Sequence, residues 1–154
     1  MKSTVFFISG AIAIFVVFVL ATLSFRAMDA GENEEPWKPE QLLAPAELAK
    51  TIGDPAAKQP MVFSIGPGAV IRGSIDIGPG RDSNNIKKLR QQLSQLPKDA
   101  NIVIYCGCCP FVHCPNIRPA FTLLNEMKFT HPQLLNIERN IKTDWIDKGY
   151  PVAK

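Results

Sequence analysis

Asn101-Ile102-Val103-Ile104-Tyr105 runs straight into Cys106-Gly107-Cys108-Cys109-Pro110-Phe111-Val112-His113-Cys114-Pro115-Asn116. The first part is a short β-branched and aromatic run without charge, the pattern of a strand buried on both faces. The second part holds all 4 cysteines of the chain. Downstream, Asn116 to Lys128 reads as a helix, with Ile117, Ala120, Phe121, Leu124 and Met127 spaced to face a core. Leu134-Leu135-Asn136-Ile137 reads as another strand. Asn140 to Lys148 reads as a closing helix, with Gly149 at its end and Pro151 beyond.

Upstream the two periods also alternate. Asp82 or Ser83 can cap a helix whose stripe is Ile86, Leu89, Leu93 and Leu96, with Lys87, Lys88 and Arg90 on its wet face. Before it, Ser74-Ile75-Asp76-Ile77 alternates like a strand closed by Gly78-Pro79-Gly80. Met61 to Ile65 is an apolar run ended by Gly66-Pro67-Gly68. Ala44 to Gly53 reads as a short helix with Pro45 in its first turn. Strands alternating with helices predict an α/β domain with a mostly parallel sheet. Ligands of such sheets bind beyond the carboxyl ends of the strands, where the loop after Tyr105 lies.

The amino-terminal part reads differently. Val5 to Leu23 carries no charge. As a helix it would span about 28 Å, close to the hydrocarbon thickness of roughly 30 Å. Lys2 precedes it, while Arg26 and then Asp29, Glu32, Glu34 and Glu35 follow. The apolar run is long for a cleaved leader, and Phe25-Arg26-Ala27 and Met28-Asp29-Ala30 are poor cleavage sites. The expectation is a signal anchor or signal peptide over 1–24, a polar linker over 25–40, and a folded domain over 41–154. Slight positive-inside bias puts that domain outside the inner membrane, anchored in the periplasm, with secretion after cleavage as the alternative. Trp37 in the linker reads as a packing or interface residue.

Composition narrows the function classes. The 154 residues are 46% hydrophobic and 20% charged, which excludes a disordered chain. A net charge of +3, from 17 basic and 14 acidic residues spread along the sequence, gives no electrostatic footprint for nucleic acid.

The cysteine loop carries the chemistry. Cys106 ends a strand and Cys114 precedes a helix, whose unpaired N–H groups favour an anion. A thiolate there should ionise below the usual thiol value of about 8.5, with His113 and Arg118 able to add to the effect. Gly107 would let the chain turn tightly and bring its amides near the sulfur. The arrangement suits a nucleophilic cysteine or a sulfur carrier. Other uses fit the same residues. Export permits disulfides, with Cys106–Cys114 or Cys109–Cys114 easier to form than Cys108–Cys109. Cys106, Cys108, Cys109, His113 and Cys114 could hold zinc or copper, although Cys-x-Cys-Cys departs from the usual zinc spacing. A redox pair would have to work without Cys-x-x-Cys. His131, before Pro132, reads as a turn residue.

Three stretches resemble the rhodanese-like domain, together covering roughly Leu42 to Val152. Ile71-Arg72-Gly73-Ser74-Ile75-Asp76-Ile77 is similar to the family's Ile-Pro-Gly-Ala-Ile-Asn-Ile segment. Ile102 to Cys106 resembles the strand that delivers the active cysteine. Trp145-Ile146-Asp147-Lys148-Gly149-Tyr150-Pro151-Val152 is similar to the family's closing Trp-x-x-x-Gly-Tyr-Pro-Val. The resemblance implies about five parallel strands flanked by helices and a loop whose amides surround one sulfur. It also implies sulfane-sulfur transfer from a donor such as thiosulfate to a thiophilic acceptor such as cyanide. Carried over by position, Cys106 is the nucleophile, Gly107 begins the cradle, and Arg118 is the nearest loop cation for an anionic donor.

Family loops place four residues between the cysteine and an arginine, and related phosphatases place five. Here Cys106 and Arg118 are separated by residues 107–117. The loop is longer and carries three further thiols, Cys108, Cys109 and Cys114. Ser64-Ile65-Gly66 stands where the family has Asp-x-Arg. The expectation is therefore an exported bacterial sulfurtransferase-like domain with an atypical loop and no resident cofactor. Its partners would be a small sulfur donor, a thiophilic acceptor or thiol redox protein, and the membrane through its amino-terminal helix. The alternatives are a non-enzymatic thiol module for metal binding or redox docking, and a silent interaction domain.

Overall fold

The computed structural model describes residues 35–154. The apolar run 5–23 lies outside the described residues, and no helix among those described is long and apolar enough to cross a membrane. The elements are β1 (Leu42–Leu43), α1 (Pro45–Gly53), β2 (Met61–Ser64), β3 (Ile75–Asp76), α2 (Ser83–Leu93), β4 (Ile102–Tyr105), α3 (Ile117–Glu126), β5 (Pro132–Leu135) and α4 (Ile141–Asp144). The strands form one five-stranded sheet in the order β1-β5-β4-β2-β3. All its pairings are parallel. The fold is therefore α/β with a parallel sheet and helices between the strands.

β4 is central, with Ile104 beside Phe63 of β2 and Leu134 of β5. All four of its residues are buried. Their side chains alternate across the sheet, as a period of two requires. Ile102, Ile104 and Cys106 enter the core shared with α2 and α3, among Leu89, Leu93, Ile117 and Phe121. Val103 and Tyr105 enter the opposite core, among Leu48 and Ala49 of α1, Leu135 and Trp145. Burying each such large side chain contributes roughly 1.5–3 kcal/mol before the cost of ordering it.

The helices start and stop for local reasons. The Asp82 side chain accepts from the Asn84 backbone N–H at 2.8 Å and caps α2. Leu89 and Leu93 of its stripe are fully buried, while Ile86 and Leu96 pack at the margin. The last segment is not the single helix its periodicity predicts. It breaks at Trp145 (φ −132°, ψ −60°) into α4 and a short 3-10 turn over Ile146–Lys148. Trp145 is fully buried, and its indole N–H donates to the Pro151 carbonyl at 2.9 Å. Gly149 adopts φ +70°, turning the chain so that Tyr150 packs edge-on against Trp145. Val152 then pairs with Ile71 in an antiparallel bridge. The closing stretch thus ties down the segment that precedes β3.

Element boundaries differ in places from the reading of the sequence. β5 begins at Pro132, two positions before Leu134, because Pro132 and Gln133 also pair with β4. The stretch read as linker over 25–40 is described only from Glu35, and its described part packs onto the domain. Trp37 is buried there and packs its ring against Phe111 and Phe121. A short β1, Leu42–Leu43, is too brief to leave a periodic signature. It is recognisable only by its pairing with Leu134 and Leu135.

Candidate functional site at the end of the central strand

After β2 the chain moves to one side of the sheet, to β3, and after β4 it moves to the other, to β5. Loops leaving adjacent strands in opposite directions open a crevice at their carboxyl ends. Cys106 and Gly66 lie at that point. The backbone N–H of Ile65 donates to the Tyr105 carbonyl at 2.9 Å, which keeps the two strand ends in register. Tyr105 then anchors the loop beyond β2. Its hydroxyl accepts from the N–H groups of Val70, at 2.9 Å, and Ile71, at 3.2 Å.

The Cys106 residue is 1% exposed, yet its sulfur is surrounded by polar partners. The Asn116 amide donates to Cys106 Sγ at 3.4 Å. Cys108 Sγ lies 3.3 Å away, and Cys109 Sγ lies 3.2 Å from Cys108 Sγ. The sulfurs of Cys106, Cys108 and Cys114 all fall within 4.8 Å of one another. All four cysteines are free thiols. Cys114 is buried, Cys109 half-buried and Cys108 exposed.

These contacts favour charge on one sulfur. Cys106 is lowered from 9.0 to about 5. The hydrogen bond from Cys114 is the main cause. Burial opposes it, and the backbone N–H of Cys108, the Asn116 amide and the Cys108 thiol add to it. The donors hold their own protons more tightly in return. Cys108 is pushed up to about 12, chiefly by the partial burial of its sulfur, and then by its hydrogen bonds to Cys109 and Cys106. Cys114 is pushed up mainly by the hydrogen bond it gives Cys106, with burial next. The arrangement is one thiolate held by two thiols and an amide. The cradle is made largely of side chains, where the sequence suggests a ring of loop amides.

Asn116 is the residue that sequence reasoning passes over. It stands at the start of α3 without capping it through its side chain. It is 5% exposed, and its side-chain oxygen Oδ1 accepts from the Arg81 backbone N–H at 3.2 Å. That bond fixes which end of the amide faces Cys106. Gly80 permits the approach of this segment, since a Cβ there would collide with the Asn116 backbone carbonyl oxygen. Gly66 is the second omission. A Cβ on it would sit 3.0 Å from Cys106 Sγ and 3.3 Å from the Gly107 nitrogen. An asparagine at a helix start and glycines beside prolines look like caps and turns in sequence, so no local signal distinguishes them.

The other expected site residues are placed as follows. Gly107 does lead out of the strand, but what requires glycine is packing. A Cβ would meet the Ile141 side chain at 2.7 Å, and the Gly107 carbonyl accepts from the Ile141 N–H at 2.9 Å. Arg118 is exposed and engaged elsewhere. It pairs with Glu35, donates to the Val112 carbonyl at 3.2 Å and lies 5.6 Å from the Trp37 ring. His113 is exposed in a 3-10 turn over Phe111–His113 and stands outside the three-sulfur set. His131 is exposed at the start of β5, in the turn expected of it. Three soft sulfurs at this spacing could also hold a thiophilic metal ion such as Cu(I), from Cys106, Cys108 and Cys114.

No protein-family model matches this chain, and no curated protein matches it. The functional reading therefore rests on the site itself.

Proposed function

We propose that this chain is a rhodanese-like sulfur carrier, exported and held at the membrane by its 5–23 segment, which moves sulfane sulfur through a persulfide on Cys106. The observation that carries the reading is the Cys106 sulfur, placed beyond the carboxyl end of the central strand and supplied with donors by Asn116, Cys108 and Cys114. Donors of this kind stabilise a thiolate, and the thiolate is the nucleophilic form. The strand order and the tie between the Trp145–Val152 tail and Ile71 support the same reading, because they join the stretches that resemble the family.

In the proposed reaction the Cys106 thiolate attacks the outer sulfur of thiosulfate. A new S–S bond forms, the donor S–S bond breaks, and sulfite leaves with the bonding pair. A thiophile such as cyanide then attacks the outer sulfur of the persulfide. Thiocyanate departs and the thiolate returns to Cys106. The same donors receive the charge at the end of the cycle, so its return requires no reorganisation. Partners would be a small sulfane donor and either a small thiophile or a thiol protein.

The test is Cys106→Ser in the full chain, incubated with thiosulfate, alkylated and mapped by mass spectrometry. The wild type should gain one sulfur on the peptide containing Cys106, and the variant should lose transfer to cyanide by roughly 100-fold or more. Transfer at the wild-type rate by the variant would refute the assignment. The three clustered sulfurs favour a second reading, a site for a soft metal ion. Stoichiometric copper or zinc in the purified protein, together with no sulfur transfer, would establish it instead.

A further inference from the structure

Cys106 and Cys108 differ sharply in access, although their sulfurs are 3.3 Å apart. Cys106 is 1% exposed, lies in the core shared with α2 and α3, and is bounded by Gly66 and Asn116. Cys108 is exposed. The proposed loading step asks only a small inorganic donor to reach the inner sulfur. A thiol carried on a peptide or protein cannot bring its sulfur into line with a bond buried there. Something must carry the sulfur outward if the acceptor is bulky.

We propose that Cys108 takes the sulfane sulfur from Cys106 and presents it at the surface to a thiol acceptor. This inference rests on the persulfide chemistry proposed above. The step is a thiol–persulfide exchange within one loop. Cys108 Sγ attacks the outer sulfur of the Cys106 persulfide. A bond forms between Cys108 Sγ and that sulfur, and the bond from Cys106 Sγ breaks, leaving its electron pair on Cys106 as thiolate. The Cys108 proton passes to the transferred sulfur. The net change is Cys106–S–S⁻ plus Cys108–SH giving Cys106–S⁻ plus Cys108–S–SH. Cys106 Sγ is reduced as Cys108 Sγ is oxidised, so no outside oxidant is needed. The acceptor thiol then attacks the exposed outer sulfur and leaves as a persulfide, restoring the Cys108 thiol.

Geometry and charge both suit this order. Each S–S bond is about 2.05 Å, so an in-line passage needs the end sulfurs roughly 4–4.5 Å apart. Cys108 must swing outward by about 1 Å from its present contact, which an exposed loop side chain can do. Before loading, Cys108 keeps its proton mainly through burial of its sulfur, then through its hydrogen bonds to Cys109 and Cys106, with the charge on Cys106 adding to them. Loading moves that charge onto the outer sulfur, which can accept the proton. Cys108 is thus a poor first attacker on an external donor, whereas a persulfide on Cys106 would offer it a sulfur and a proton acceptor at close range. Cys114 is fully buried and serves as a positioning donor. Cys109 adjoins Cys108, and a bond between neighbouring cysteines would be strained, which disfavours trapping the relay as a disulfide.

The experiment compares the full-length wild type with Cys108→Ser and Cys108→Ala. Each is loaded with thiosulfate, quenched by alkylation and mapped, and transfer is then measured to cyanide and to reduced glutathione. The relay expects added sulfur on both Cys106 and Cys108 in the wild type, and on Cys106 alone in the variants. Loss of the Cys108 contact with Cys106 can slow both transfers, so the relay is read as a ratio: it expects glutathione transfer relative to cyanide transfer to fall roughly ten-fold or more in both variants. Circular dichroism confirms that the variants are folded. A glutathione-to-cyanide ratio unchanged from the wild type in the Cys108 variants would overturn the relay and leave the Cys106 assignment standing. Direct loading of Cys108 in Cys106→Ser would also overturn it. Absence of added sulfur on Cys106 in every protein would instead overturn the sulfur-transfer reading, and the relay with it.

Discussion

Replacing Asn116 with Ala tests how the Cys106 thiolate is held. The Asn116 amide donates to Cys106 Sγ at 3.4 Å, and its far end is fixed by the Arg81 backbone N–H at 3.2 Å. A hydrogen bond to a charged group contributes roughly 1.5–3 kcal/mol. One pKa unit corresponds to about 1.36 kcal/mol, so its loss amounts to about 1–2 units. The bond stabilises the charged form, so removing it raises the value. Cys106 titrates near 5 in the intact protein. The variant should titrate at roughly 6–7. The Arg81 N–H lies in an exposed turn and can turn to water, so the fold should survive. The assay is the far-ultraviolet absorbance of thiolate against pH, with Cys106→Ser subtracted to isolate this sulfur. Being an equilibrium measurement, it does not depend on a reagent reaching a buried site. A midpoint within about 0.3 units of the wild type would show that the amide does not hold the charge. A wild-type titration without any thiolate below pH of about 8 would refute the whole account of the cradle.

Further expectations follow from the same contacts. Cys106 is lowered to about 5 from 9.0, so between those values the folded protein binds fewer protons than the unfolded chain. Its contribution to stability is fully present above 9.0 and is lost as pH falls through about 5, so the wild-type advantage over Cys106→Ser in chemical denaturation should grow across that window. Cys108, raised to about 12, acts oppositely, and its contribution should fade as pH rises above 9.0. Gly66→Ala places a methyl 3.0 Å from Cys106 Sγ and 3.3 Å from the Gly107 nitrogen. It should cost about 1–3 kcal/mol of stability and reduce sulfur loading, read by thermal unfolding and peptide mapping. Trp145→Ala removes a fully buried ring and the bond to Pro151, and should destabilise by about 3–5 kcal/mol in the same unfolding assay. Arg118→Ala removes exposed contacts, namely the pair with Glu35, the bond to the Val112 carbonyl and the approach to the Trp37 ring, so it should cost about 1–2 kcal/mol and leave the Cys106 titration midpoint in place.

The sequence by itself determined the alternation of strands and helices, the burial of Ile102 to Tyr105, the stripe of α2 and the position of Cys106 at a strand end. These are properties of period and of covalent order, and both can be read along the chain. It did not determine which neighbours the sulfur would have. Asn116 is ten positions from Cys106 and Gly66 is forty, and they meet only because β2 and β4 lie side by side with α3 packed over them. The same holds for Arg118. Its nearness to the cysteines in sequence suggests an anion-binding role, whereas the fold turns it toward Glu35 and Trp37. Charge at a buried sulfur depends on donors within a few ångströms, whatever their separation along the chain. Tertiary structure therefore decided which of the four thiols is held as the thiolate and which one faces the solvent.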